Sequence, residues 1–153
     1  MQLVRDIGLR FLWIDALCII QDDEDEKKRL IHGMDRVYEG ATLTVFAAAG
    51  LDAAEGLPGI RAPDERIHEA STSVRYAHNS LELALACPTL VEQVRKSRWD
   101  TRAWTYQEQR LSKRCLYFTM HEVFFVCKVS QRREGYELER LKLDGIVRHG
   151  PPI

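Results

Sequence analysis

The sequence predicts a single α/β domain built on a mostly parallel sheet. Its 153 residues suit one domain. Residues 11–20, interrupted at Asp15, and residues 42–49 are predominantly apolar runs without strict alternation, a pattern typical of strands that are covered on both faces. The segment between them has helical periodicity, so the three together predict a right-handed strand–helix–strand unit.

Composition excludes several classes of protein. With 22 Lys and Arg against 23 Asp and Glu, the net charge of −1 predicts no nucleic-acid partner and no anionic membrane partner. The longest apolar run contains Asp15 and is too short to span a bilayer. The sequence shows neither a secretory leader nor a C-x-x-C pair, which favours a reducing cytoplasm.

The first predicted strand, residues 11–15, leads into the acidic tract 22–26 and the basic tract 27–29. Acidic residues before basic ones complement a helix dipole, and aspartates are natural N-caps. Apolar residues then recur at helical spacing, which predicts one helix of about four to five turns that ends near Gly40.

Residues 42–49 are β-branched first and small last, and they form the second predicted strand. Residues 50–73 are rich in Gly, Pro and charge and are predicted to be irregular. A short strand is predicted at 81–86, although part of the region 74–94 also fits a helix. Another helix is predicted to start near Asp100 or Thr101.

The C-terminal part of the domain contains two further apolar strands, 115–119 and 123–127, joined by three residues. So short a connection predicts an antiparallel hairpin. Residues 129–153 are charged and show no apolar periodicity, so we expect a domain at 1–128 followed by a loosely ordered tail.

Asp15 is the first residue whose position suggests chemistry. An acid that closes an apolar strand tends to lie at the carboxyl end, where open α/β sheets place their ligand crevices. The alternative is that Asp15 caps the following helix or pairs with a buried arginine. Buried acidic residues are usually paired, which favours this alternative.

A second set of candidates surrounds Glu108. On a helix, Trp104 and Glu108 share a face and Gln107 lies beside them. An indole that excludes water raises the pKa of a neighbouring carboxyl group, and the carboxylate can hold a ribose hydroxyl or stabilise an oxocarbenium-like centre. Four arginines offer forked donors for phosphate, namely Arg98, Arg102, Arg110 and Arg114. The structural alternative is a packed tryptophan and a Glu108–Arg salt bridge.

No metal site is predicted, because the histidines and cysteines lack metal-ligand spacing. The glycines at 56 and 59 lack the strand–loop–helix context of a dinucleotide fingerprint. The sequence contains no G-x-S-x-G motif.

Two blocks of the sequence resemble the fungal heterokaryon incompatibility (HET) domain. Residues 8–22 resemble its signature, and residues 102–108 resemble its second strong block. Further pieces follow the family's order, namely 34–38, 42–49, Gly56 with Arg61, 111–112 and Arg114. The resemblance covers roughly residues 3–128.

The resemblance implies a cytoplasmic module of fungal non-self recognition whose activation leads to programmed cell death. It also implies a fold similar to the TIR domain, a flavodoxin-like sandwich, and some TIR domains cleave NAD with a Glu four residues after a Trp. Trp104 and Glu108 reproduce that interval. The hypothesis is catalytic Glu108 in one crevice with Asp15, Trp104 and Gln107, beside Arg61, Arg102 or Arg114, with NAD as substrate and no cofactor.

The family's usual upstream strand, with a Leu-Ser-Tyr-x-Trp-Gly-like motif, is not found before residue 8, so we expect a fold that is incomplete at its N-terminus. Three functions stay open. They are an enzyme acting on a nicotinamide dinucleotide, a non-catalytic module that self-assembles, and an inactive remnant. The expected partners are other proteins or domains of the incompatibility pathway, or a second copy of the chain.

Overall fold

The computed structural model describes residues 2–50, 55–60, 71–76, 79–84, 87–102 and 104–134. Its helices are α1 Gln2–Asp6, α2 Asp15–Cys18, α3 Glu24–His32, α4 Met34–Gly40, α5 Leu90–Arg95 and α6 Thr105–Leu111, with a 3-10 helix at Trp99–Thr101. Its strands are β1 Thr44–Ala47, β2 Ser71–Tyr76, β3 Asn79–Ala84, β4 Arg114–Phe118, β5 Val123–Cys127 and β6 Ser130–Arg133. None of the helices in these ranges is long and apolar enough to cross a membrane.

The main sheet has four strands in the order β1-β4-β5-β6. β1 pairs with β4 in parallel, whereas β4–β5 and β5–β6 are antiparallel. The domain is therefore α/β, as predicted, but the mostly parallel sheet is not confirmed among the described strands. The reason is local, because short turns join β4, β5 and β6, and short turns can only join antiparallel neighbours.

The strand predicted at residues 11–15 is wrong. Residues 9–14 form neither helix nor strand, and α2 begins at Asp15 itself. Phe11 is 84% exposed and Leu17 is 70% exposed, so the run is not covered on both faces. An apolar run without alternation fits a buried strand and a short helix equally well, and here part of it is helical.

The helix predicted between the two apolar runs is two helices. Asp23 caps α3 as expected, because its Oδ1 accepts hydrogen bonds from the backbone N–H groups of Asp25 and Glu26. Gly33 then ends α3 with φ −95° and ψ 3° and also precedes α4. Glycine has a low helix propensity, so the interruption between α3 and α4 occurs at the residue that favours a helix least.

The hairpin predicted near the C-terminus is confirmed by β4 and β5, which pair Tyr117 with Phe124. β6 then extends the sheet to Arg133, within the segment predicted to be a tail. β2 and β3 form a separate antiparallel pair, which includes the strand predicted near 81–86. Part of the region left ambiguous is helical, as α5 shows.

The core lies between one face of the main sheet and the helices. Phe46, Tyr117 and Phe124 occupy neighbouring positions on β1, β4 and β5 and are at most 2% exposed. The rings of Phe46 and Tyr117 stack at 4.6 Å, and Trp99 packs edge-on against Phe46 at 4.9 Å. Leu90 from α5 joins the same cluster. The 3-10 helix is thereby anchored to the sheet through Trp99, and this anchoring fixes the start of the α6 region.

Candidate functional site

Glu108 lies on α6 and joins two other segments of the chain. Tyr38 on α4 donates a hydrogen bond from its hydroxyl to Oε1 of Glu108 at 2.9 Å. Trp99 donates from its indole N–H to Oε2 at 3.1 Å. We call Tyr38, Trp99 and Glu108 the Glu108 cluster. Tyr38 and Trp99 are buried and Glu108 is half-buried.

The electrostatics of the cluster favour a protonated tyrosine. Burial raises the pKa of Tyr38, and the negative charge of Glu108 and the hydrogen bond to it raise that pKa further. The negative charge of Asp15 raises the pKa of Tyr38 as well. Trp13 packs edge-on against Tyr38 with ring centroids 6.3 Å apart. The segment with Asp15 and the helix with Glu108 therefore approach each other through Tyr38.

Three of the predicted site residues lie on the outer side of the α6 region. Trp104 precedes α6, where its carbonyl accepts the backbone hydrogen bond of Glu108, and its side chain is 55% exposed. Gln107 and Arg102 are also exposed. Trp104 and Glu108 are thus one turn apart, as the spacing predicts, but the indole that touches the carboxylate is that of Trp99.

Three other predicted residues are placed as follows. Asp15 is the first residue of α2 and is exposed, and its Oδ1 accepts a hydrogen bond from the backbone N–H of Ala16 at 2.7 Å. Arg114 begins β4 and donates to the backbone carbonyl of Thr42 at 3.3 Å, which holds it at the amino end of the parallel pair. Arg61 lies outside the described residues.

Sequence reasoning missed both donors to Glu108. Trp99 is nine positions before Glu108 and Tyr38 is seventy before it, so neither falls at a helical spacing. The predicted salt bridge between Glu108 and an arginine is replaced by two hydrogen bonds from neutral groups. The one available signal was Tyr38 itself, since a buried tyrosine usually finds a partner for its hydroxyl.

The Glu108 cluster connects α4, the 3-10 helix and α6 through hydrogen bonds. Each oxygen of the Glu108 carboxylate has a donor, so the half-buried charge is stabilised without a cation. Among the described residues, no three His, Cys, Asp or Glu side chains lie close enough together to hold a metal ion.

Two cavities lie elsewhere on the molecule. One, of about 410 Å³, is open and lies over the sheet face formed by Leu116, Phe118 and Phe125. The other, of about 200 Å³, lies beyond Ala48 and Thr119 at the ends of β1 and β4. Neither is lined by Asp15, Glu108 or the other predicted site residues that the structure describes. The common crevice proposed for those residues stays a prediction.

Comparison with known proteins gives one result. No curated protein and no solved structure matches the chain, so the TIR-like and flavodoxin-like form of the fold is not confirmed. The family model described as heterokaryon incompatibility protein (HET) matches residues 1–108, which is more than two thirds of the chain. The resemblance noted in residues 8–22 and 102–108 is thereby confirmed. The chain belongs to the heterokaryon incompatibility protein family.

Proposed function

We propose that this chain takes part in the cell-death signalling of heterokaryon incompatibility by associating with a second copy of itself, with Glu108 in a structural role. The family supports the general role. One observation carries the specific part, namely the exposed apolar surface of residues 7–20. We call this surface the N-terminal apolar patch. Its exposed members are Ile7, Phe11, Leu12, Ile14, Leu17 and Ile20.

The N-terminal apolar patch is unusual because its members are close together in the chain. Isolated exposed apolar residues are common on protein surfaces, but a contiguous group marks a site of interaction. Phe11 and Leu17 are the most exposed of the group. Arg10 lies over the Phe11 ring at 5.5 Å, so a cation accompanies the most exposed aromatic side chain.

The charges that flank the patch favour a second copy as the partner. Arg5, Asp6 and Arg10 are exposed towards its amino end and together carry a net positive charge, and Asp22 and Asp23 are exposed just after its carboxyl end. In a two-fold arrangement the same patch meets itself in the opposite direction. The basic side of one copy would then face the acidic side of the other, which favours that pairing and its register.

The test is the oligomeric state of a variant in which Phe11 and Leu17 are both replaced by Ser. We expect the parent chain to show concentration-dependent association by sedimentation, and the double variant to sediment as a monomer. The matched control is Val129→Ser, because Val129 is 85% exposed but lies at the β5–β6 turn and is not a member of the patch. A parent chain that stays monomeric at every concentration, or a double variant that associates as before, would overturn the proposal.

The same variants separate association from signalling. Expressed in a fungal host, the parent and Val129→Ser should arrest growth, and the Phe11→Ser/Leu17→Ser variant should not. Equal abundance on immunoblots shows that the loss is not one of expression. Growth arrest by a monomeric variant would mean that self-association is not the signalling step.

A cytoplasmic location is part of this proposal. No disulfide joins the four cysteines, Cys18, Cys87, Cys115 and Cys127, which all lie among the described residues. Free thiols persist in a reducing compartment, whereas secreted domains of this size commonly pair theirs. Partners from the same incompatibility pathway would meet the chain there.

Cleavage of NAD is the second candidate function, and a specific observation favours it. Trp104 is 55% exposed one turn before Glu108, and Trp13, two residues before Asp15, packs edge-on against Tyr38, the residue that donates to Glu108. An exposed indole can stack on the nicotinamide or adenine ring. The glycosidic bond would be cleaved near Glu108, and water would take the ribosyl group.

The measurement for this candidate is nicotinamide released from NAD by the purified chain. Trp104→Ala should abolish release, whereas Tyr106→Ala should not, because Tyr106 is a comparably exposed aromatic residue on the same helix. Both substitutions are on the surface, so both variants should fold. No release by the parent chain, together with growth arrest that depends on Phe11 and Leu17, would leave the association function alone.

A further inference from the structure

The main sheet is apolar on both of its faces. One face carries the core, where Phe46, Tyr117 and Phe124 lie side by side. Side chains alternate between the two faces of a sheet, so the neighbouring positions of the same strands belong to the other face. The residues of that second face are Val45, Leu116 and Phe125 in one row and Ala47, Phe118 and Val123 in the next. A sheet of this kind needs cover on both faces.

The cavity of about 410 Å³ lies over this second face. Leu116 and Phe125 belong to its lining and are half-buried. Leu3 of α1 and Ile60 line it from outside the sheet. We call it the sheet-face cavity. An open apolar surface of this kind marks a site of interaction.

The lining of the sheet-face cavity includes one cation that can pair with a partner. Arg132 on β6 is exposed, and its guanidinium has no hydrogen-bond or ion-pair partner among the described residues. The other two charged residues of the lining have contacts within the chain. Arg133 donates to Oε2 of Glu122 at 2.7 Å, and Glu134 accepts from the backbone N–H of Val123 at 3.2 Å. An incoming carboxylate would therefore pair with Arg132.

The sheet-face cavity adjoins the N-terminal apolar patch at α1. Leu3 lines the cavity, and its carbonyl accepts the backbone N–H of Ile7, the first member of the patch, at 3.0 Å. The cavity therefore lies at the amino end of the patch. In the two-fold arrangement proposed above, the amino end of one patch faces the carboxyl end of the other. The part of a second copy that faces the cavity is thus the carboxyl end of its patch.

The carboxyl end of the patch carries groups that match the cavity. Leu17 is 70% exposed and Ile20 is 51% exposed, and both are aliphatic, as the floor of the cavity is apolar. Asp22 is exposed two positions after Ile20 and has no hydrogen-bond or ion-pair partner among the described residues. Its carboxylate is the counterpart of the Arg132 guanidinium. The two surfaces are therefore complementary in polarity and in charge.

We propose that the sheet-face cavity of one copy receives Leu17 and Ile20 of a second copy, and that Asp22 of that copy pairs with Arg132. This inference rests on the self-association proposed above and deepens it, because it names the surface on which the carboxyl end of the patch docks. Two-fold symmetry forms the same contact twice. The contact also supplies cover for the second apolar face of the main sheet.

Sedimentation of two charge-reversal variants and of their mixture tests the ion pair. Arg132→Glu and Asp22→Lys should each associate at least about tenfold more weakly than the parent, because both symmetric contacts become repulsive. An equimolar mixture of the two variants should associate as the parent does. Every contact between unlike copies then joins opposite charges again. Thermal unfolding of each variant verifies that it is folded.

The matched control for the charge reversal is Arg110→Glu. It makes the same change at an exposed arginine on α6 that does not line the cavity, so its association should equal that of the parent. The mixture needs no further control, because each of its components associates weakly alone. Its recovery requires that positions 22 and 132 of different copies face each other.

A further variant examines the apolar part of the contact. Ile20→Ser removes a side chain that enters the cavity in both symmetric contacts, so association should weaken by at least about tenfold. Ile31→Ser is the matched control, because it replaces an exposed isoleucine on α3 that is not a member of the patch. It should associate as the parent does.

The outcomes separate this inference from the proposed function. A parent chain that stays monomeric overturns both. Association that is lost in Phe11→Ser/Leu17→Ser but unchanged in Arg132→Glu or Ile20→Ser overturns this inference alone, since the patch would then meet only itself. A mixture of Arg132→Glu and Asp22→Lys that associates no better than either variant overturns it as well.

Discussion

The carboxylate of Glu108 connects α4, the 3-10 helix and α6 through two hydrogen bonds. Trp99 is part of the aromatic core, so the cluster also ties these helices to the sheet. A half-buried carboxylate without donors would be costly, and both donors are neutral side chains with their polar atoms at the edge of the core. The cluster therefore contributes to stability whether or not Glu108 also acts on a substrate.

Removal of the Tyr38 hydroxyl should destabilise the fold. Tyr38→Phe leaves Oε1 of Glu108 without its donor, and a hydrogen bond to a charged group contributes about 1.5–3 kcal/mol. We expect the free energy of unfolding in urea to fall by about that amount. Tyr106→Phe is the matched control, because Tyr106 is exposed on α6.

A double-mutant cycle gives the sharper measurement for Tyr38. Glu108→Gln and Tyr38→Phe should each destabilise, and the double variant should lose less than the two single losses combined. Strict additivity would show that the hydroxyl and the carboxylate do not depend on one another.

The surroundings of Glu108 could be predicted only in part, because some of its contacts are local in the sequence and others are not. The Trp104–Glu108 interval is local and was read correctly as one helical turn. Contacts from Tyr38 and Trp99 depend on how helices pack, which no short spacing encodes. The role of Glu108 in a site stays a prediction, and the indole that contacts its carboxylate is that of Trp99 instead of Trp104.

Elements with strong local signals were predicted well. The Asp23 cap fixed the start of α3, and β1 and the β4–β5 hairpin match β-branched and aromatic runs bounded by turn residues. β6, Ser130–Arg133, has no apolar periodicity and was missed. It forms because the edge of β5 supplies backbone hydrogen bonds, so tertiary context decides its structure.

Residues 11–20 show the opposite case, since a strong apolar signal gave the wrong element. A strand needs a pairing partner in addition to a suitable composition, and residues 9–14 pair with none of the described strands. The helix at Asp15–Cys18 then satisfies local backbone groups, as with the N–H of Cys18 and the carbonyl of Ile14 at 2.8 Å.

Two glycines should respond to alanine in opposite directions. Gly33, between α3 and α4, has φ −95°, and a Cβ there would meet backbone oxygens at 3.6 Å or more, an ordinary contact. Gly33→Ala should therefore stabilise by about 0.5 kcal/mol, because it restricts the unfolded chain.

Gly8 provides the contrast. It has φ +74°, a conformation that L side chains rarely adopt, although the space around it is open. Gly8→Ala should destabilise by about 1 kcal/mol through backbone strain alone. Thermal unfolding of both variants measures the difference, and a shift of the same sign in both would contradict this account of the α3–α4 break.

At the scale of the whole molecule, the buried ionisable groups determine how stability changes with pH. Burial raises the pKa of the Cys115 thiol from its ordinary value of 9.0 to about 11. Burial also raises the pKa of Tyr117 in the same core, and of Tyr38 in the Glu108 cluster, above the ordinary 10.0. All three groups are neutral when protonated, so the folded chain holds these protons more tightly than the unfolded chain.

Stability should therefore decline in alkali. Below pH 9 both states hold the Cys115 proton, and its contribution to stability is fully present. Between about pH 9 and 11 the unfolded chain releases that proton while the folded chain retains it, so the free energy of unfolding falls. The raised pKa values of the two tyrosines extend the decline above pH 10.

Urea unfolding at a series of pH values, with Cys115→Ala compared to Cys18→Ala, checks the origin of this decline. Cys115→Ala removes a buried thiol, so the loss of stability between pH 9 and 11 should become shallower, even though the variant starts from a lower stability. Cys18 is exposed, and its replacement should leave the slope unchanged. If the free energy of unfolding falls with pH at the same slope in the parent and both variants, ionisation of Cys115 is not linked to folding. The decline in stability in alkali would then have to come from the tyrosines alone, and Tyr38→Phe would be the variant that makes the decline shallower above pH 10.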